Sequence, residues 1–175
     1  EFMTARVAAL AIRPRKAETG GMRVQLRLEV DCPTDAAWDA LRSPASFAEI
    51  YAPIIEMVPV EPAIFPEHWP EGEARVALST LMGIIAIGEQ KIVISYAERD
   101  GVHIIEDSGR PLTGPLSVIS RWRHRMAVSA LPDGRTLYRD RLDISAGIAT
   151  PFIWAAMWIM WQWRAARLRR LFARL

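Results

Sequence analysis

The sequence predicts an α+β fold in which one antiparallel sheet is covered by a long C-terminal helix. Three observations carry this expectation. Alternating apolar and polar segments recur between residues 22 and 145, separated by Gly or Pro-Gly punctuation. The links between them have hairpin length, which pairs neighbouring strands antiparallel; a parallel pair needs a crossover of about a dozen residues or more. Helical periodicity falls in two short stretches after the first strand and in one long stretch at the end. Together these exclude a doubly wound α/β fold.

The elements follow in order. Met22, Val24, Leu26, Leu28 and Val30 alternate with Arg23, Gln25, Arg27, Glu29 and Asp31, the period of a strand with one face on the core. Pro33 and Thr34 stop it. Thr34 is the expected cap of a short helix with Asp35 in its first turn, and Ala37, Trp38 and Leu41 share one face. Ser43-Pro44 opens a second short helix with Phe47, Ile50 and Tyr51 as apolar contacts. Residues 55–59 read as a strand. Residues 61–73, with three prolines, His68 and Trp69, read as a loop. Strands are expected at 75–80, 84–96, 102–107, 116–131 and 135–145. Arg99-Asp100-Gly101 marks one turn. Pro132-Asp133-Gly134 fits a three-residue hairpin loop with Gly134 left-handed.

Thr150-Pro151 opens the last helix as cap and first helical residue. At about 100° per residue, Trp154, Met157, Trp161, Ala165, Leu168, Phe172 and Leu175 form one stripe. Arg167, Arg170 and Arg174 lie opposite, but so do Phe152, Ile159 and Trp163. The helix is therefore apolar all round in its first half and amphipathic in its second. The 18 residues from Ala146 to Trp163 carry no formal charge. Gly147, Thr150, Pro151 and Gln162 cut the usable apolar part to 152–161, short of the roughly 20 residues that a membrane span needs. A helix buried on most sides is the expectation.

Length and composition set the outer limits. The 175 residues suit one domain, expected over 22–175, which can bury roughly 70% of the surface its unfolded chain would expose. Cys32 is alone, which excludes an internal disulfide and a cysteine-rich zinc site. A 51% apolar and 24% charged composition excludes a disordered or fibrous chain. A net charge of +2 is too small to argue for nucleic acid, and none is expected as a partner. Of 22 basic residues all but Lys16 and Lys91 are Arg, a skew that a GC-rich bacterial genome explains. Four of the seven tryptophans fall between Trp154 and Trp163. Residues 1–20 read as an N-terminal extension, in which Glu1-Phe2 before Met3 is a cloning scar. The apolar run 7–12 is too short for a secretory signal, so a cytoplasmic location is expected.

Val30-Asp31-Cys32-Pro33-Thr34-Asp35-Ala36-Ala37-Trp38-Asp39-Ala40-Leu41 resembles the strand exit and first helix of the START/birch-pollen-allergen superfamily, also called SRPBCC or polyketide-cyclase-like. Trp122-Arg123-His124-Arg125-Met126, followed by Gly134-Arg135-Thr136-Leu137-Tyr138-Arg139-Asp140-Arg141-Leu142, resembles the last hairpin of an uncharacterised bacterial branch. The resemblance covers residues 22–175. It implies a helix-grip fold: a curved antiparallel sheet of about seven strands wrapped around the last helix, with an apolar cavity between them. It does not imply one function, because the superfamily includes lipid carriers, hormone receptors and aromatase/cyclase enzymes.

No phosphate loop, dinucleotide fingerprint, G-x-S-x-G or H-E-x-x-H occurs. His68, His103 and His124 lack metal-ligand spacing, so no metal and no other cofactor is expected. The polar candidates are His124 and Asp140. Trp122, His124 and Met126 share the inner side of their strand, opposite Arg121, Arg123 and Arg125; Tyr138, Asp140, Leu142 and Ile144 share a side of the next. A three-residue loop sets Met126 opposite Asp140 and Val128 opposite Tyr138, with His124 diagonal to Asp140 and within side-chain reach. Three roles are open to the pair. Each can satisfy the other inside the sheet. Together they can orient a ligand's polar group. They can also act as acid and base, the only catalytic candidates in the chain.

Ile92, Ile94, Tyr96, Trp122, Met126, Tyr138, Leu142, Trp154, Met157, Trp158 and Trp161 complete the expected ligand surface. Phe152, Ile159 and Trp163 are the expected interface of a homodimer or the seat of the N-terminal extension, since an exposed apolar stripe marks a partner surface. The five arginines after Trp163 read as a solvated face that could also meet anionic lipid headgroups at a membrane surface. The functional expectation is binding or transport of a hydrophobic small molecule, such as a lipid, isoprenoid or aromatic polyketide. The alternatives are a cyclase/aromatase-type enzyme using the same cavity and a membrane-peripheral adaptor.

Overall fold

The computed structural model describes residues 15–16 and 21–175, so the 7–12 apolar run lies outside the described residues. The elements are β1 (Arg15–Lys16), β2 (Met22–Val30), α1 (Thr34–Arg42), α2 (Pro44–Tyr51), β3 (Ile55–Glu61), β4 (Ala74–Leu81), β5 (Ile85–Arg99), β6 (Val102–Asp107), β7 (Arg110–Pro111), β8 (Arg121–Ala130), β9 (Thr136–Ser145) and α3 (Thr150–Phe172). The strands form one antiparallel sheet in the order β1-β2-β9-β8-β6-β5-β4-β3, with β7 against β5. The fold is α+β, with two short helices after the first long strand and a long helix last.

Alternation built this core. Val24, Leu26, Leu28 and Val30 of β2 are buried, as are Tyr138, Leu142 and Ile144 of β9. On α3 the buried residues are Thr150 and, in its second half, Trp161, Arg164, Ala165, Leu168, Leu171 and Phe172. Each fully buried Leu, Ile, Val or Phe contributes about 1.5–3 kcal/mol. α3 packs on β2 and α2. Its first half leaves Phe152 79% and Ile159 65% exposed.

The outer face of the sheet carries charge. Asp143 sits between Arg23 and Arg141, and Glu106 between Arg123 and Arg125. The flanking guanidinium groups outweigh partial burial and hold both carboxyls below their usual range.

Three local expectations need correction. The strand expected over 116–131 begins at Arg121; Pro115–Val118 is a 3-10 turn instead. Gly114 at φ 74 followed by Pro115 turns the chain there, and Ser117 closes the turn with its backbone N–H and hydroxyl on the Gly114 carbonyl. Thr34 lies within α1 rather than capping it, and its hydroxyl pairs with that of Thr136. Thr150 likewise lies inside α3, donating to the Gly147 carbonyl and accepting from the Ala146 N–H.

Candidate functional site

The site starts from a turn. Gly134 at φ 81 lets Pro132-Asp133-Gly134 close a three-residue loop, in which the Leu131 N–H donates to the Arg135 carbonyl at 2.8 Å. That closure sets the β8–β9 register, with Met126 opposite Asp140, Val128 opposite Tyr138 and His124 opposite Leu142. His124 and Asp140 are therefore diagonal neighbours on the inner face. His124 Nε2 lies 2.8 Å from Asp140 Oδ1. An ionised carboxylate only accepts, so Nε2 carries the proton.

The other carboxylate oxygen is also engaged. Asp140 Oδ2 accepts from the Tyr138 hydroxyl at 2.6 Å and from Arg164 Nε at 2.8 Å. Arg164 comes from α3, is 1% exposed, and also donates through Nη2 to Tyr138 Oη at 3.2 Å and to Met126 Sδ at 2.8 Å. Its guanidinium lies 5.1 Å from the centre of the Tyr51 ring and 5.8 Å from that of Trp161. Nη1 is buried and has no partner.

Burial and charge oppose each other here. Burial alone would raise the Asp140 carboxyl, but His124, Arg164 and the Tyr138 hydroxyl hold it far below the usual carboxylate range. Burial would lower Arg164, but Tyr138, Tyr51 and Asp140 keep its proton bound more tightly than usual. Burial pushes the Tyr138 and Tyr51 hydroxyls up. The cluster is thus a buried ion pair with neutral tyrosines around it.

Asp107 is a second buried acid beside the cluster. It faces His124 across the β6–β8 register. Its Oδ1 accepts the backbone N–H of Val93 at 3.1 Å and of Gly109 at 2.9 Å. Burial nevertheless raises its pKa, because these bonds, His124 and the nearby Trp122 indole offset only part of the desolvation.

These groups border a small cavity of about 30 Å³, room for roughly two waters. Ile92, Ile94 and Ile105 form its sheet wall, Leu41, Phe47 and Ile50 its helical wall, and Trp69 closes it. Ala40, Gln90, Asp107, His124, Met126 and Arg164 contribute the remainder. Trp69 is held by its N–H on the Arg42 carbonyl and by the Tyr96 hydroxyl donating to its own carbonyl.

Of the residues expected to contact a ligand, His124, Met126, Ile92 and Ile94 line this cavity. Tyr138 and Asp140 are not part of its lining but bond Arg164, which is, and Leu142 is enclosed in the core. Tyr96 packs edge-on to Trp38 at 5.6 Å. Trp161 stacks edge-on to His124 at 5.2 Å, and Trp122 packs at the core margin. Trp154 donates to the Arg23 carbonyl at 2.9 Å, Met157 is half-buried, and Trp158 is 37% exposed. The reason is helical rise. Arg164 anchors the middle of α3 over Asp140, so Met157, seven residues earlier, lies about 10 Å further along the axis, past the cavity. Trp163 is half-buried, with the Arg167 guanidinium 6.0 Å over its ring.

Arg164 corrects the picture of five solvated arginines. Arg167 also bonds the Glu49 carbonyl, and Arg174 pairs with the Glu49 side chain. Arg164, Asp107, Gln90 and Tyr51 are the site groups that sequence reasoning missed, whereas Trp69 falls at the cavity from a loop expected to edge its mouth. For Arg164 a signal existed: it lies three residues after Trp161 and four before Leu168, on the buried stripe. Asp107 shares its strand face with Ile105.

No protein-family model matches the chain, and no curated protein sequence matches it. Solved structures do. A hypothetical protein from Helicobacter pylori superposes with a TM-score of 0.64 at 13% identity, covering 86% of this chain and 87% of that one. Norcoclaurine synthase from Thalictrum flavum, a point mutant in complex with a transition-state analogue, gives 0.60 at 11% identity, covering 91% and 98%. CalU16 from Micromonospora echinospora gives 0.54 at 15% identity, covering 92% and 81%. At these identities the likeness is one of fold. The architecture is a helix-grip fold, an antiparallel sheet with a long C-terminal helix, shared with these solved structures. No helix among the described residues is long and apolar enough to cross a membrane.

Proposed function

We propose that the chain binds a hydrophobic small molecule, such as a lipid, isoprenoid or aromatic polyketide, in this cavity. The observation that carries the reading is an apolar chamber into which buried polar groups converge, the usual makeup of a ligand pocket. Only a few heavy atoms fit the space as it stands, about 30 Å³. The rest of a ligand is accommodated by displacing Trp69, which comes from the irregular segment between β3 and β4. Norcoclaurine synthase, of the same fold, has been crystallised with dopamine and hydroxybenzaldehyde. Native mass spectrometry of the purified chain tests the proposal. A small apolar molecule held one to one is the expected result; no adduct, and no change in tryptophan emission across a panel of apolar probes, would overturn it.

A cyclase- or aromatase-type activity has one observation behind it. Asp107 is a buried acid on the cavity wall, and burial raises its pKa. Asp140 is held by three partners and is a positioning group in either reading. Phe152 and Ile159, both widely exposed, favour pairing with a second copy of the chain. With Arg164, Arg167 and Arg174 engaged inside the chain, less of the C-terminal helix is left for anionic lipid, and the membrane-peripheral reading loses support.

A further inference from the structure

We propose that the ligand carries a carboxylate, and that Arg164 Nη1 is its anchor. This rests on the small-molecule reading and adds the chemistry of the head group. Three facts converge on it. Arg164 forms part of the cavity wall and is 1% exposed. Its Nε and Nη2 are committed to Asp140, Tyr138 and Met126, while Nη1 is buried without a partner. A buried N–H left unpaired is costly, so an acceptor supplied by a ligand meets a standing need.

The second fact concerns the opposite acid. Asp107 also lines the cavity, and the Val93 and Gly109 N–H groups occupy its Oδ1. Burial raises its pKa; when the acid is neutral, its proton sits on Oδ2, the oxygen those two bonds leave, as a donor. Gln90 is a further polar residue on the wall. A group with two oxygens that only accept satisfies a guanidinium and an acid proton together. A hydroxyl head satisfies one of them. An ammonium head would meet the Arg164 cation instead.

The third fact is size. About 30 Å³ holds a head group and not a whole ligand. The carboxylate therefore takes the enclosed end by Arg164, and the apolar body runs between the isoleucine wall and Trp69.

Hexanoate, hexan-1-ol and hexylamine share one tail and test the head group directly. Titration calorimetry of the full chain is expected to show hexanoate binding at least ten-fold tighter than hexanol, with hexylamine weakest. R164K keeps a cation beside Asp140 but removes the unpaired Nη1, so the preference for hexanoate over hexanol should vanish. Side-chain ¹⁵N spectra of the arginine-labelled, unmutated chain give an independent readout: hexanoate must move the Arg164 resonances, whether or not R164K folds. Equal binding of acid and alcohol, or an Arg164 signal that ignores hexanoate, overturns the anchor and leaves the binding reading standing. Failure of all three probes to bind overturns both.

Discussion

Arg164 of α3 donates from Nε to Asp140 Oδ2 of β9 at 2.8 Å, with both side chains almost wholly removed from water. This pair joins the last helix to the sheet at the cavity wall. A buried ion pair is weak evidence for stability, but breaking one leaves the other charge uncompensated. Arg164→Met and Asp140→Asn should each cost about 3–5 kcal/mol in urea unfolding. The double variant should cost clearly less than the two added together, because neither charge is then stranded. Strict additivity would show that the two groups do not act as a pair.

Asp107 and Asp140 should titrate stability in opposite directions. Asp140 is held below its unfolded value of about 3.9, so its contribution is present above that pH and lost as acid approaches the folded value. Asp107 is raised, so its contribution is full below about 3.9 and is lost as pH rises towards the folded value. Asp107→Asn removes that second loss. The variant should therefore gain on the parent between pH 4 and pH 7, by roughly 1 kcal/mol for each unit by which the pKa is raised. Melting temperatures at the two pH values measure it, and a constant offset would contradict the reading.

The sheet face and the hairpin were legible because each rests on a local rule. Period-two alternation marks the inner side of β2, and the Pro132-Asp133-Gly134 loop dictates which residue of β8 meets which of β9. Hence the His124–Asp140 diagonal follows from a count along the chain. Arg164 was not legible as a site residue, although its spacing placed it on the buried stripe. An arginine is read as a solvent group until a partner is known, and Asp140 lies 24 residues away. The cavity shows the same limit. Leu41, Trp69, Gln90 and Arg164 belong to different elements, and no periodicity connects them. The 3-10 turn at Pro115–Val118 was not legible because Leu116 and Val118 continue the even-position apolar pattern of the strand that follows.

Gly109 should be intolerant of a side chain. A Cβ built there would lie 1.9 Å from the Lys91 carbonyl oxygen and 2.9 Å from Asp107 Oδ1. The contact is with backbone, so the β6–β7 connection itself must move. Gly109→Ala should cost about 1–3 kcal/mol. It should also pull the Gly109 N–H away from Asp107, raising that carboxyl further. Carbonyl ¹³C titration of the Asp107 side chain would report the second effect separately from the first.

The exposed face of α3 gives the last prediction. Phe152 at 79% and Ile159 at 65% exposure lie beyond the cavity, on the solvent side of a half whose Trp154 bonds the Arg23 carbonyl of β2. Isolated apolar side chains at a surface are ordinary, but two large ones on a helix flanked by Trp158 form a patch suited to a partner. If that partner is a second copy, the unmutated chain should sediment at twice the mass of one chain. Ile159→Glu should then yield the single-chain mass. Because Ile159 makes little contact within its own chain, unfolding of the separated variant should differ by no more than about 0.5 kcal/mol from that of the parent measured at a dilution where it too is monomeric. A single-chain mass for both proteins at high concentration would remove the dimer and leave the face to some other partner.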